Sequence, residues 1–294
     1  MERELMDTLI KGLAHQGAIR IIVVDSTSTV KEAAERHRTY PTASAALGRT
    51  LTIGAILGSM LKSEKENVMI QINGGGPIGT ILVDANSHCE VRGFVANPEV
   101  HIMNEQTNKL NVGAAVGRDG TLRVIKDLSL KDDFTGTVQL QTGEIAEDFA
   151  YYFTLSEQTP SAVSLGVLVN ENSEVIAAGG ILIQMMPHAT EADILIAEDV
   201  IKHLKPISQL IHEGFTPNTL IESLFQDVEV LGMSTVQFKC SCSRDRMFEA
   251  LSTVAKTEVE AMIHEDHGTE ITCHFCNTSY HFSEDELKSI LNKS

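Results

Sequence analysis

The sequence predicts an α+β fold. An α/β amino-terminal domain with a mainly antiparallel sheet and packed helices leads into a helical linker and a small carboxy-terminal zinc-binding module. Three observations carry this. Short β-branched runs separated by Gly, Asn and Asp recur through the first part of the chain, as a meandering sheet requires. A stretch of helical pattern, rich in acids, follows from Pro187. Four of the five cysteines then fall as Cys240-Ser241-Cys242 and Cys273-His274-Phe275-Cys276. These shifts divide the chain at residues 1–186, 187–231 and 232–294.

Residues 19–25 form the first apolar, β-branched strand candidate. After it Ser28 or Thr29 can cap a helix through about Arg38, with Glu32 spaced to complete a capping box with Thr29. Pro41 breaks the chain before a long helix of small residues over 42–61. Short strands are expected at 68–72, 78–84, 89–95, 121–126 and 137–141. A helix over 144–155 has acids in its first turn, where the helix dipole favours negative charge. Pro160 ends that neighbourhood, and strands follow at 162–169 and 175–186, the second interrupted by Gly179-Gly180.

In 187–231, residues 191–204 and 217–225 read as helices joined through Pro206, Gly214 and Pro217, and eight acids against two bases leave a local charge of −6. Nothing in this segment says how tightly it packs. In 232–294 a strand leads to the first cysteine pair, and helices follow over about 243–254 and 256–265. The second pair sits in a β-hairpin over 271–282, and Ser283 with Glu286 opens a terminal helix at capping-box spacing. At 63 residues this module is small for a self-sufficient core, so metal binding would supply much of its folding free energy.

Composition narrows the function. Hydrophobic residues make up 43% and aromatics 5% of the 294 residues, an aliphatic globular composition. A net charge of −17 repels phosphate backbones and anionic membrane surfaces, so neither a nucleic acid nor a membrane is an expected partner. The first residues carry acids where a signal peptide needs bases, and 42–61 contains Arg49 and reads as a core helix. A cytoplasmic location is therefore expected, where cysteines are reduced and thiolate–metal ligation is favoured over structural disulfides.

No enzyme is expected, since no nucleophile elbow, phosphate loop or Ser-His-Asp spacing is present. Gly74-Gly75-Gly76-Pro77-Ile78-Gly79 satisfies G-x-G-x-x-G formally, but a strand pattern follows it, so it reads as a hairpin turn. His264-Glu265-Asp266-His267 spaces its histidines by three and meets Gly268, so it reads as a solvated helix end. Cys89 reads as a small hydrophobe. The Cys-x-x-Cys pair lies in a hairpin and not at a helix N-terminus after a strand, which argues against a thioredoxin-like reductase.

The two cysteine pairs together are a metal signal. Four thiolates at about 2.3 Å make a closed tetrahedral zinc site. If a strand from Thr235 runs on through Cys242, its period of two puts both thiols of the first pair on one face. A tight turn across His274-Phe275 would gather the second pair. Cys240, Cys242, Cys273 and Cys276 are thus the expected ligands of one Zn2+ per chain, with His274 outside the coordination shell. The same sulfurs can be a permanent staple in a binding module or an oxidisable switch.

Several motifs match one family across nearly the whole chain. They are Gly74-Gly75-Gly76-Pro77, Val91-Arg92-Gly93-Phe94-Val95 with Asn97-Pro98, Gly143-Glu144-Ile145-Ala146-Glu147-Asp148, Ser156-Glu157-Gln158-Thr159-Pro160-Ser161 and Ala177-Ala178-Gly179-Gly180. The most specific is Phe238-Lys239-Cys240-Ser241-Cys242-Ser243-Arg244 with Cys273-His274-Phe275-Cys276. On these the chain closely resembles the redox-regulated molecular chaperones of the thirty-three-kilodalton heat-shock protein family. The resemblance implies a cytosolic holdase for unfolded or partially unfolded client proteins that works without ATP. It is inactive while reduced and zinc-bound. Oxidant under unfolding conditions then releases zinc and pairs Cys240 with Cys242 and Cys273 with Cys276. The resemblance further implies that the linker unfolds and that activated subunits form a homodimer.

Overall fold

The computed structural model describes residues 6–293 and divides the chain into two compact units, Met1–Lys239 and Cys240–Ser294. The first unit begins with the strands β1 (Thr8–Ala14) and β2 (Ile19–Asp25) and the helices α1 (Thr27–His37) and α2 (Pro41–Ser59). A meander follows: β3 (Asn67–Gly75), β4 (Ile81–Asn86), β5 (Glu90–Val95), the short pair β6 (Met103–Asn104) and β7 (Lys109–Leu110), α3 (Val112–Val116), β8 (Gly117–Asp127) and β9 (Phe134–Gln139). Then come α4 (Ala146–Leu155), β10 (Ser161–Val169), β11 (Val175–Met185), α5 (Glu191–His203), α6 (Ile207–His212), α7 (Pro217–Leu224), β12 (Glu229–Thr235) and β13 (Gln237–Phe238).

Two sheets carry this unit. One has the order β10-β11-β2-β1-β12 and is antiparallel throughout; the other runs β13-β5-β4-β3-β8-β9 and is antiparallel except where β13 meets β5. The fold is α+β, as the sequence predicts. Helix α2 lies between the sheets, against β10 and β11 on one side and β3, β4 and β5 on the other. Every residue from Thr42 to Ser59 except Arg49 is buried, as expected of a helix that is apolar all round. Small residues set the spacing: a Cβ on Gly58 would lie 2.4 Å from the Asn86 carbonyl oxygen, so that backbone approach requires glycine.

The other face of the first sheet is covered by α5, α6 and α7. Ile10, Ile19, Ile21, Val23, Ile181 and Ile183 of the sheet form one apolar cluster with Ala197, Ile207, Leu210, Leu220, Ile221 and Phe225. The segment 187–231 therefore belongs to the first unit. That unit runs on to Lys239, with β12 paired to β1 in one sheet and β13 to β5 in the other.

Two local expectations change, and the reading of Gly74–Gly79 as a hairpin turn holds. Glycines 179 and 180 do not interrupt β11; a Cβ on Gly179 would lie 2.3 Å from Ile211 Cδ1, so the glycine lets α6 approach the strand. Thr29 and Glu32 form no capping box. In the first turn of α1 the Thr27 N–H donates to Asp25 at 3.0 Å and the Ser28 and Thr29 N–H groups donate to the Asp7 carboxylate at 2.9 and 2.6 Å, which leaves Glu32 to pair with Arg36. The Gly74–Gly79 loop connects β3 to β4 with no helix after it, so the geometry of a dinucleotide site is missing.

At the start of α4, one carboxylate organises the turn. Asp148, fully buried, accepts from the N–H groups of Gln141 (2.7 Å), Thr142 (3.0 Å) and Ile145 (3.0 Å). Ile145 has φ +72°, a conformation a β-branched residue rarely adopts, and these bonds hold it there.

Candidate metal centre

The second unit holds α8 (Arg244–Leu251), α9 (Lys256–His264), the hairpin β14 (Gly268–Thr272) and β15 (Ser279–Ser283), and α10 (Glu284–Lys293). Its apolar core consists of Leu251, Val259, Ile263, Phe282, Leu287 and Ile290, with partly buried neighbours such as Met247 and Tyr280. Arg244 braces it: its guanidinium donates to the His281 carbonyl and to Glu286, each at 2.9 Å, and stacks 4.6 Å from the centre of the Phe282 ring. Glu286 also accepts from the Ser283 N–H at 3.0 Å, the contact that capping-box spacing predicts.

The first cysteine pair is not on a strand. β13 ends at Phe238, and residues 240–242 form an irregular segment that leads to Ser243, whose hydroxyl accepts from the Arg246 N–H to cap α8. Arg246 folds back and donates to the Ser241 carbonyl at 2.8 Å, which fixes the bend between Cys240 and Cys242. A helix start so close behind the pair leaves no length for an extended ladder. The second pair sits, as expected, in the β14–β15 turn. Cys273 donates its N–H to the Thr278 carbonyl at 2.9 Å, and its own carbonyl accepts from Cys276 (3.3 Å) and Asn277 (2.7 Å). Asn277 supplies the left-handed residue, φ +56°, that closes the turn.

All four sulfurs lie within 4.8 Å of one another, the one group of three or more potential ligands so gathered among the described residues. Cys240 Sγ lies 3.8 Å from Cys273 Sγ, and Cys242 Sγ 3.3 Å from Cys276 Sγ. A tetrahedron with ligand bonds of about 2.3 Å has sulfur–sulfur edges of about 3.8 Å, so the cluster fits a single zinc-sized ion with small adjustments. An all-sulfur, closed set of soft donors selects zinc over hard oxygen-seeking cations. The four cysteines are positioned to hold a metal ion, and their chemistry is compatible with zinc.

Without a cation two of the thiols resist ionisation and one ionises more readily. Burial, with the neighbouring thiols Cys276 and Cys240 adding to it, pushes Cys242 up to about 12. Burial likewise raises Cys273. Burial acts upward on Cys276 too, but hydrogen bonds from Thr278 and the neighbouring sulfurs outweigh it and bring that thiol down to about 7. A ligating sulfur must lose its proton, so metal-bound thiolates have their pKa values held below those of the unfolded chain. The stabilisation is present at neutral pH and is lost as pH falls. With at least the protons of Cys242 and Cys273 displaced, zinc affinity is expected to fall by about 100-fold or more for each pH unit between pH 8 and 6. Competition against a chromophoric chelator across that range checks it; a flat profile would contradict thiolate ligation.

The remaining sequence candidates lie elsewhere. His274 is exposed and is not part of the gathered group; nor are His264, the last residue of α9, and His267, in the turn after it, which faces Glu284 at 3.6 Å. Cys89 is fully buried in the β4–β5 connection, where burial pushes its thiol up. Two residues that composition and motif reading pass over do reach the cluster: Tyr280 Oη lies 3.2 Å from Cys242 Sγ, and Thr278 Oγ1 3.3 Å from Cys276 Sγ. Their places two and four residues after Cys276 are the one sequence signal that could have found them.

Comparison with known proteins places this arrangement. The family described as "Hsp33 protein" matches residues 7–283. The chain belongs to the Hsp33 family. That Hsp33 match runs from the edge of β1 to the end of β15 and so includes all four cysteines. A relative named 33 kDa chaperonin from Geobacillus kaustophilus (strain HTA426) is 48% identical over 286 residues, covering 97% of each chain. One of the same name from Staphylococcus carnosus (strain TM300) is 44% identical over 289 residues, covering 98% of each. Among solved Hsp33 structures, that of the 33 kDa chaperonin from Thermotoga maritima superposes with a TM-score of 0.90 at 36% identity, covering 98% of both chains.

Proposed function

We propose that this protein is a redox-regulated, ATP-independent chaperone that binds unfolding proteins and prevents their aggregation under oxidative stress. The observation that carries this is the gathering of four thiols in a unit whose own apolar core is small. In this reading Cys240, Cys242, Cys273 and Cys276 hold one Zn2+ in the reduced, inactive form. Bound zinc keeps the sulfurs deprotonated, the state that oxidants attack.

Activation pairs Cys240 with Cys242 and Cys273 with Cys276, following the family resemblance. For each pair, two thiolates lose two electrons to peroxide, whose O–O bond breaks and takes up two protons to leave two waters. Each disulfide closes only a tiny loop, so it constrains the unfolded unit little. Oxidation thus removes the metal staple and adds no comparable one. The working divisions proposed are 1–186 as the chaperone domain, 187–231 as the segment that loosens, and 232–294 as the switch. Unfolded clients and, on activation, a second copy of the chain are the partners, in the cytoplasm.

The test treats the purified zinc form with peroxide at heat-shock temperature and follows zinc in solution together with light scattering from an aggregating client. One equivalent of zinc released with suppressed scattering is expected. Zinc loss without suppression would sink the chaperone reading, whereas zinc retained under oxidant would make the metal a purely structural staple in a binding module.

A further inference from the structure

The hairpin that carries the second cysteine pair also reaches the first. Tyr280 on β15 pairs with Ile271 of β14, packs against the apolar core of the unit, and brings its hydroxyl to 3.2 Å from Cys242 Sγ. Cys242 itself sits in the irregular segment before α8. Two residues earlier on the hairpin, Thr278 Oγ1 lies 3.3 Å from Cys276 Sγ. A sulfur that binds a metal has no proton to give, so in the loaded site both contacts have one possible polarity: the hydroxyl donates and the thiolate accepts.

We infer that Tyr280 is a positioning residue of the metal centre, whose O–H···S bond to Cys242 joins the two cysteine pairs and lowers the charge on that sulfur. This rests on the reading that the four thiolates hold zinc, and names the residue that sets how readily the site gives the metal up. Two consequences follow from the chemistry. A donated hydrogen bond withdraws electron density from the thiolate, which slows its attack on electrophiles. It also fixes the irregular segment against the hairpin, which slows ligand dissociation. Thr278 does the first of these for Cys276, within its own turn.

The test uses the full-length chain loaded with Co2+ as a spectroscopic probe, and separately with Zn2+. Tyr280→Phe keeps the ring that packs in the core and removes only the hydroxyl. In the cobalt form the sulfur-to-metal charge-transfer band should move to lower energy, because a sulfur relieved of its hydrogen bond is easier to oxidise. In the zinc form, metal transfer to a chelator should be roughly tenfold faster. Alkylation by iodoacetamide should accelerate as well; there the Cys242 sulfur forms the new S–C bond, the C–I bond breaks, and iodide leaves with its electron pair. Thr278→Val, which leaves the aromatic packing untouched, should shift the band in the same direction.

A variant with wild-type band position and wild-type transfer rate would overturn the proposal. Failure of Tyr280→Phe to take up cobalt would overturn it too, by making the residue merely structural. Failure of the wild-type chain to bind either metal would instead overturn the zinc reading itself, so the two failures are distinguishable.

Discussion

Cys273→Ser is expected to strip residues 240–294 of metal and to unfold them while the first unit stays folded. Cys273 is firmly held: it is buried, its N–H and carbonyl are both engaged in the turn, and its sulfur lies 3.8 Å from Cys240. Structural zinc contributes about 10–16 kcal/mol of apparent binding free energy in small metal-dependent domains. The apolar core of six buried side chains cannot replace that for a unit of this size. Metal analysis should give zinc near zero per chain, and amide hydrogen exchange should show protection lost across α8 to α10 but kept in α2 and β2. Retained stoichiometric zinc, or retained protection in the hairpin, would refute metal-dependent folding of this unit.

The second large effect lies far from the cysteines. Asp148→Ala should destabilise the first unit by about 4 kcal/mol, because three N–H groups lose a charged acceptor in a buried turn and the strained Ile145 loses what holds it. Asp148→Asn keeps one acceptor oxygen and should lose distinctly less. The chain has no Trp, so urea unfolding is read through tyrosine fluorescence, with the fully buried Tyr152 of α4 as reporter. Equal midpoints for Asp148→Ala and the parent chain would show that the turn stands without the carboxylate.

What the sequence makes legible depends on how local its cause is. Strands β2, β10 and β11 and helix α2 declare themselves through β-branched runs and small-residue texture, and they lie close to where those patterns put them. β1 has a mixed polar and apolar pattern and becomes a strand through pairing with β2 and β12, a partner more than two hundred residues away. The cap of α1 is hard to read for a similar reason: its acceptors are Asp25 and, twenty residues upstream of the helix start, Asp7, both outside the helix's own sequence. At the metal centre the four cysteines are fully legible from spacing. The expected strand through Cys242 is not what forms, since the Ser243 cap and Arg246 impose a bend, and the hydroxyls of Thr278 and Tyr280 become visible only when the hairpin places them beside sulfur.

The position of α2 between the sheets has a consequence for how the protein is made. The ribosome delivers α2 early, but the strands β10 and β11 that cover one of its sides are complete only at Met185, 126 residues after Ser59 (185 − 59). At a synthesis rate of about 5–20 residues per second, an apolar helix waits roughly 6–25 s for its lid. For that interval the nascent chain shows the kind of sticky surface that chaperones exist to shield.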